Sequence, residues 1–374
     1  MLRIEIMLLV VVFGSAFLSG ITHGRQKTLE NDEYQCKALL PPNPELVQSD
    51  TCIVDSSFHI SPRKANAVFL MLTRNRDLKG VMSSMKQLED RFNQNFGYPY
   101  VFLNDEPFDE KFKNLVTQLA SSPVEFGLIP PEHWNQPSWI NETRASAARN
   151  ELVAKDIAYG GSVSYRNMCR FNSGFFYRHE LLKPYKYYWR FEPSVDFFCD
   201  IDYDPFLYMQ DYDKVYGFTI SLYEYMETIP TLWSAAKEFM NANPELIASD
   251  NAMDFISYDG GITYNRCHFW SNFEIGDLDF WRGEAYSKFF DFLDEKGGFY
   301  YERWGDAPVH SIGVALFARR DQLHFFHDIG YHHHPFQHCP RGDSHRKGRC
   351  WCDPDSSFDY DGYSCLRIYD RLFA

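Results

Sequence analysis

The chain of 374 residues has no excess of positive charge: 37 lysines and arginines face 51 aspartates and glutamates, a formal net charge of -14. Without a basic footprint, nucleic acid is excluded as a partner. A free nucleotide is not excluded, because a bound divalent cation can neutralise its phosphates. There is no Gly-x-Gly-x-x-Gly opening a helix, no Walker loop and no Gly-x-Ser-x-Gly elbow, which removes three common nucleotide and hydrolase signatures. Internal repeats and low-complexity segments are also missing. Long apolar runs are scarce. The run Ile6 to Ile21, preceded by Arg3 and followed by His23, Arg25 and Lys27, is short for a membrane span of about 20 residues. Its Leu18-Ser19-Gly20 end offers a signal-peptidase site, so residues 1–21 read as a signal anchor or a cleaved signal peptide. Either route delivers the rest of the chain to the secretory lumen.

What is present fits that compartment. Nine cysteines suit an oxidising lumen, and their odd number leaves one thiol unpaired or bridging chains. Asn141-Glu142-Thr143 is a glycosylation sequon that a lumenal route would let be used. A 45% hydrophobic and 17% aromatic composition allows a large buried core, in one α/β domain or two smaller ones. Residues 22–64 are polar and turn-rich, carry Cys36 and Cys52, and read as a short stem. Residues 65–374 read as one domain.

Within that domain, strands alternate with helices. Ala67 to Leu72 is an apolar strand, and Asp77 to Phe96 has helical spacing through Val81, Met85, Leu88 and Phe92. Strands at Tyr98 to Leu103 and Val124 to Gly127 flank a helix from Pro107 to Leu119. A Pro- and Trp-rich loop follows to Ile140, then helices over Glu142 to Tyr159 and Tyr165 to Gly174. This alternation implies a parallel sheet with crossover connections. The aromatic run from Tyr187 stops at Glu192-Pro193, a strand with an acid at its tip. Ligands bind outside the carboxyl ends of such strands, and a carboxylate there suits a hard metal ion holding a diphosphate. Glu192 also reads, more blandly, as the ion-pair partner of Arg190. Cys267 to Glu274 looks like a second strand ending in an acid. A carboxylate such as Glu274 can be a nucleophile or a charge stabiliser at a sugar carbon, or only a surface acid.

The tail from His324 to Cys352 is crowded with histidine and cysteine, including His332, His333 and His334. A structural zinc site is one reading. Disulfides among Cys339, Cys350, Cys352 and Cys365 are the simpler one, leaving a histidine to join Glu192 on a metal such as manganese. Asp202-Tyr203-Asp204 has the Asp-x-Asp form of many nucleotide-sugar transferases, a weak signal in an Asp-rich stretch.

Several motifs occur together: Tyr165-Arg166-Asn167-Met168-Cys169-Arg170-Phe171, Arg190-Phe191-Glu192-Pro193, Asn272-Phe273-Glu274-Ile275, Trp304-Gly305-Asp306-Ala307-Pro308, and Asp328-Ile329-Gly330-Tyr331 with His333 and Cys339-Pro340. With them, nearly all of residues 65–374 resembles the fungal α-1,2-mannosyltransferases of glycosyltransferase family 15. The resemblance implies an α/β fold of GT-A type, with a mixed central sheet flanked by helices. It implies Mn²⁺ held by Glu192 and His333, Glu274 as candidate nucleophile, Tyr165 near the reacting centre, and Arg190 and Asp306 lining the GDP-mannose site. Asp202 and Asp204 then become structural or acceptor-side acids. The expected reaction is retaining transfer of mannose from GDP-mannose to the 2-hydroxyl of an α-mannoside on a glycoprotein or glycolipid. The expected location is the Golgi membrane, type II, with the catalytic domain lumenal. Acceptor choice is expected in loops such as Phe126 to Ile140 and Tyr223 to Pro230. A transferase of other donor or linkage, and a lumenal carbohydrate-binding protein without turnover, are the alternatives.

Overall fold

The computed structural model describes residues 63–374, which form one compact unit. The apolar run at 6–21, the stem, Cys36 and Cys52 lie outside the described residues. Among the described residues no helix is long and apolar enough to cross a membrane.

Twelve strands are present: β1 Ala67–Leu72, β2 Tyr100–Asn104, β3 Val124–Leu128, β4 Tyr187–Arg190, β5 Asp196–Phe197, β6 Tyr216–Phe218, β7 Ser221–Tyr223, β8 Cys267–Phe269, β9 Glu274–Asp277, β10 Leu323–Phe325, β11 Tyr331–His333 and β12 Phe336–His338. Seven form the central sheet in the order β10-β6-β9-β4-β1-β2-β3. All its pairs are parallel except those of β9, which runs antiparallel to both β4 and β6. The sheet is therefore mixed.

Both faces are covered, which is why β1 and β2 read as unbroken apolar runs rather than as alternating ones. Val68 and Leu70 of β1 point into one core with Tyr188, Tyr216, Trp281 and Phe290. Phe69 and Met71 point into the other, with Phe92, Trp189, Phe206 and Phe273. The period-2 alternation of a strand then fixes what shares a face. In β4, Arg190 must follow Tyr188, and the register pairs Arg190 with Glu274 and Tyr188 with Gly276.

One element departs from expectation. Cys267 to Glu274 is not a single strand ending in an acid. β8 pairs with β7 in a separate two-stranded sheet, the chain turns at Trp270 to Phe273, and Glu274 opens β9. Because β9 is antiparallel, its first residue lies at the edge where the parallel strands finish. Glu274 thus reaches that edge from the opposite direction. The helix expected to run to Tyr159 stops at Ala154, because Asp156 and Tyr159 adopt left-handed φ values of 54° and 58°, which no helix continues.

Three disulfides join Cys199 to Cys350, Cys267 to Cys365 and Cys339 to Cys352, while Cys169 is free and buried. All four tail cysteines are thus bonded, two of them to cysteines far upstream.

Candidate active site

The edge where β1, β2 and β4 end borders a cavity of about 330 Å³. Residues immediately after those strands line it: Thr73 and Arg74 after β1, Asn104 and Asp105 at the end of β2, and Arg190 and Glu192 at the end of β4. Tyr159, Ser162, Tyr165 and Trp134 close the other side. Tyr159 and Tyr165 stack with ring centroids 4.4 Å apart and planes within 2°. The early end of the preceding helix is what brings Tyr159 there. Thr73 Oγ1 and Asn104 Nδ2 are buried and have no hydrogen-bond partner, an arrangement proteins rarely leave unfilled.

Arg190 organises the strand ends. Its Nη1 donates to Asp306 Oδ2 at 2.6 Å, its Nη2 to Glu192 Oε1 at 2.7 Å, and Nη1 lies 3.9 Å from Glu274 Oε1. Burial disfavours its charge, but Asp306, Glu192 and Glu274 outweigh that and raise its pKa well above the ordinary value. Asp306 opens the helix Asp306–Phe317 and also accepts from Ser271 Oγ at 2.8 Å. Asp306 therefore stands behind Arg190, outside the residues that line this cavity.

Glu274 also stands behind Arg190, 1% exposed. Oε1 accepts from the Tyr188 hydroxyl and Oε2 from the Tyr216 hydroxyl, both at 2.9 Å. Gly276 leaves room for this, because a Cβ there would sit 2.7 Å from the Tyr188 ring. His310 Nδ1 is 2.9 Å from Oε2, and its Nε2 is 2.8 Å from the Asn172 carbonyl. A carbonyl only accepts, so Nε2 carries a proton.

The three-stranded sheet β5-β11-β12 brings the tail to this edge. β11 pairs with β5 through Tyr331↔Phe197 and His332↔Asp196. His332 turns to Asp196, its Nδ1 2.9 Å from Oδ2, and His333 faces the other way. Its Nε2 is 3.4 Å from Glu192 Oε2. Its Nδ1 donates to the His334 carbonyl at 3.0 Å, which leaves Nε2 as the nitrogen that faces Glu192 and that a metal ion would take once it gives up its proton. Register thus turns His333, and not His332, toward Glu192. Burial would raise the Glu192 carboxyl, but His333 and Arg190 outweigh it and bring it down to about 2. His333 is raised in turn, since Glu192 overcomes its burial. The two form a carboxylate–imidazole pair that fits a manganese ion.

Other candidates take structural roles. Asp204 caps the helix Pro205–Asp211 through the amides of Phe206 and Leu207 and accepts from the Tyr98 hydroxyl at 2.6 Å. Asp202 is exposed. Cys339, His345 and Cys352 lie close enough together to suggest zinc, but the two cysteines are bonded to each other and offer no thiolate. Sequence reading missed Thr73, Arg74, Asn104, Ser162 and Tyr159. Their one signal is position, as polar residues just past parallel strands or just before a helix.

The family model described as glycolipid 2-alpha-mannosyltransferase matches residues 23–372. The chain belongs to this family. It is similar to glycolipid 2-alpha-mannosyltransferase 1 of Candida albicans, 56% identical over 310 residues that cover 83% of this chain and 72% of that one. It is also similar to alpha-1,2 mannosyltransferase KTR1 of Saccharomyces cerevisiae, 54% identical over 84% of this chain and 80% of the relative. Among solved structures, the mannosyltransferase Ktr4p of S. cerevisiae in complex with GDP matches with a TM-score of 0.79 at 44% identity, over 83% of this chain and 82% of that one. Core-mannan synthase A (CmsA/Ktr4) of Aspergillus fumigatus, in its Mn/GDP form, matches with a TM-score of 0.77 at 44% identity, over 82% and 84%. The resemblance read from the sequence therefore holds, and with it the GT-A-type α/β fold of the mannosyltransferase family.

Proposed function

We propose that this chain is a Mn²⁺-dependent, retaining α-1,2-mannosyltransferase that moves mannose from GDP-mannose to the 2-hydroxyl of an α-mannoside on a glycoprotein or glycolipid. The Glu192–His333 pair at the mouth of a cavity with unfilled hydrogen-bonding groups carries this reading. Relatives at 44% identity bind GDP, one of them with manganese.

In this reading the diphosphate lies in the cavity beside Arg190 and Glu192, both of which line it. Glu192 and His333 would hold Mn²⁺, which would supply Lewis-acid stabilisation to a leaving diphosphate. Thr73, Asn104 and the Tyr159–Tyr165 stack face the nucleotide. As the bond from mannosyl C1 to the phosphate oxygen breaks, the acceptor O2–C1 bond forms, and the acceptor proton leaves on the departing phosphate. Glu274 has both oxygens hydrogen-bonded, which makes it a poor nucleophile. Its role here is charge: it stabilises the positive charge that develops at C1, and the acceptor attacks from the leaving-group side.

The proposed setting is the Golgi lumen, with the N-terminal segment as membrane anchor. Three disulfides and an exposed Asn141 at its sequon agree with a lumenal location. The deciding assay is transfer from GDP-mannose to methyl α-mannoside with and without Mn²⁺. An α-1,2-linked dimannoside formed only with metal is the expected product; another linkage, or equal turnover in chelator, would overturn the proposal.

A further inference from the structure

Two chains of contacts leave the site and meet on one segment. From His333, aromatic packing runs to Trp270 with ring centroids 4.8 Å apart, on to Phe336 at 5.6 Å and to Tyr363 at 6.3 Å. The Tyr363 ring then meets Tyr223 at 6.0 Å and Tyr225 at 6.3 Å. From Tyr165, the Arg303 guanidinium sits 5.3 Å over the ring and pairs with Glu224 at 3.6 Å. Glu224 stands between Tyr223 and Tyr225. The segment 223–225 is thus tied to both the metal-binding and the Tyr165 sides of the site.

Beyond it the aromatic surface opens. The Tyr223 hydroxyl lies 3.2 Å from that of Tyr258, and Tyr225 and Tyr258 are 57% and 62% exposed. These rings stand on a braced support. Tyr223 ends β7, which pairs with β8, and its amide donates to the Tyr363 carbonyl at 3.3 Å. The Cys267–Cys365 disulfide fastens β8 to the segment that follows Tyr363. Glu224 is engaged with Arg303, while Arg266, 5.7 Å over the Tyr223 ring, and Arg371 near Tyr258 offer donors to hydroxyl oxygens. The surface therefore suits a neutral ligand with both apolar faces and hydroxyls, which is what a pyranose offers to a tyrosine ring and its hydroxyl.

We infer that Tyr223, Tyr225, Tyr258 and Tyr363 form a platform for acceptor sugars beyond the one that receives mannose. The acceptor is then an α-mannoside chain rather than a single sugar. This rests on the mannosyltransferase reading and specifies its substrate.

The test compares methyl α-mannoside with an α-linked mannotriose as acceptors for the full chain with GDP-mannose and Mn²⁺. The native enzyme should favour the trisaccharide in kcat/KM. In the Tyr225→Ala, Tyr258→Ala double variant that preference should fall about tenfold. Tyr212→Ala removes a 64% exposed tyrosine outside this chain of contacts and should keep the native preference. No trisaccharide preference in the native enzyme, or an unchanged one in the double variant, overturns the platform. Calorimetric titration of mannotriose without donor separates the two readings. Tyrosine-dependent binding without transfer keeps the platform and removes the transferase; transfer without chain-length preference does the reverse.

Discussion

The Nδ1 atom of His310 lies 2.9 Å from Glu274 Oε2, inside a pocket that solvent does not reach. With its other nitrogen bound to the Asn172 carbonyl, His310 ties the helix Asp306–Phe317 to the carboxylate at the catalytic edge. Glu274→Gln keeps the shape and removes the charge. It should lower kcat about 100-fold or more while GDP affinity is retained. Steady-state transfer and GDP titration check this, and a native-like kcat would sink the assignment of Glu274. Quenching the native enzyme with GDP-mannose alone should yield no mannosylated Glu274 by mass spectrometry.

Glu192 and His333 should fail together. Either change to Ala should reduce transfer about 100-fold or more and shift the Mn²⁺ dependence to higher concentration. Both side chains are partly exposed, so the thermal midpoint should move little. Loss of activity with an unchanged metal response would separate these residues from the metal.

Arg170 makes a two-pronged ion pair with Asp294, at 2.7 and 2.8 Å, and both groups are largely buried. Asp294→Ala leaves a guanidinium buried without its partner, which costs about 3–5 kcal/mol. Urea unfolding measures this directly. A loss below about 1 kcal/mol would mean the site behaves like an exposed pair.

Acid should weaken the fold through His324. Burial, with the charges of Lys214 and His327, lowers this imidazole to about 4, against roughly 6.5 in an unfolded chain. Between those values the unfolded chain takes up a proton that the folded one does not, so stability falls as pH falls. The contribution is about 3 kcal/mol, complete near pH 4. Comparing unfolding of native protein and His324→Gln from pH 7 to 4.5 isolates it. Parallel curves for the two would remove His324 as the cause.

Much of this architecture can be read in the chain. The runs at 67–72 and 100–104 are apolar throughout because both faces of the sheet are covered, and Glu192 marks a strand tip because proline follows it. Glu274 was harder: Phe269 and Ile275 look like one run, and only the turn at Trp270 to Phe273 sends the second half into another sheet with reversed direction. His333 cannot be separated from its neighbours by composition, since the choice comes from pairing of β11 with Asp196–Phe197. The side of the cavity lined by Thr73, Asn104 and Ser162 was the least legible. Thr73, Asn104 and Ser162 are ordinary turn residues until the strands before them are known to be adjacent. Tyr159 reaches the site only because the helix ends early, and a left-handed residue other than glycine leaves little trace in sequence.

The proposed metal-binding pair is drawn from two stretches of chain brought together by the β5–β11 pairing and by the backbone hydrogen bonds beside it. Cys199 follows β5 and is bonded to Cys350; Cys339 follows β12 and is bonded to Cys352. These links pin the return of the tail against the strand tip. A molecule assembled without these links would keep the β5–β11 pairing that carries His333 to Glu192, but the loops that return the tail would be less constrained. The expected consequence is that reducing the disulfides weakens manganese binding, so that the tightly binding fraction of a preparation tracks how much of it is correctly oxidised.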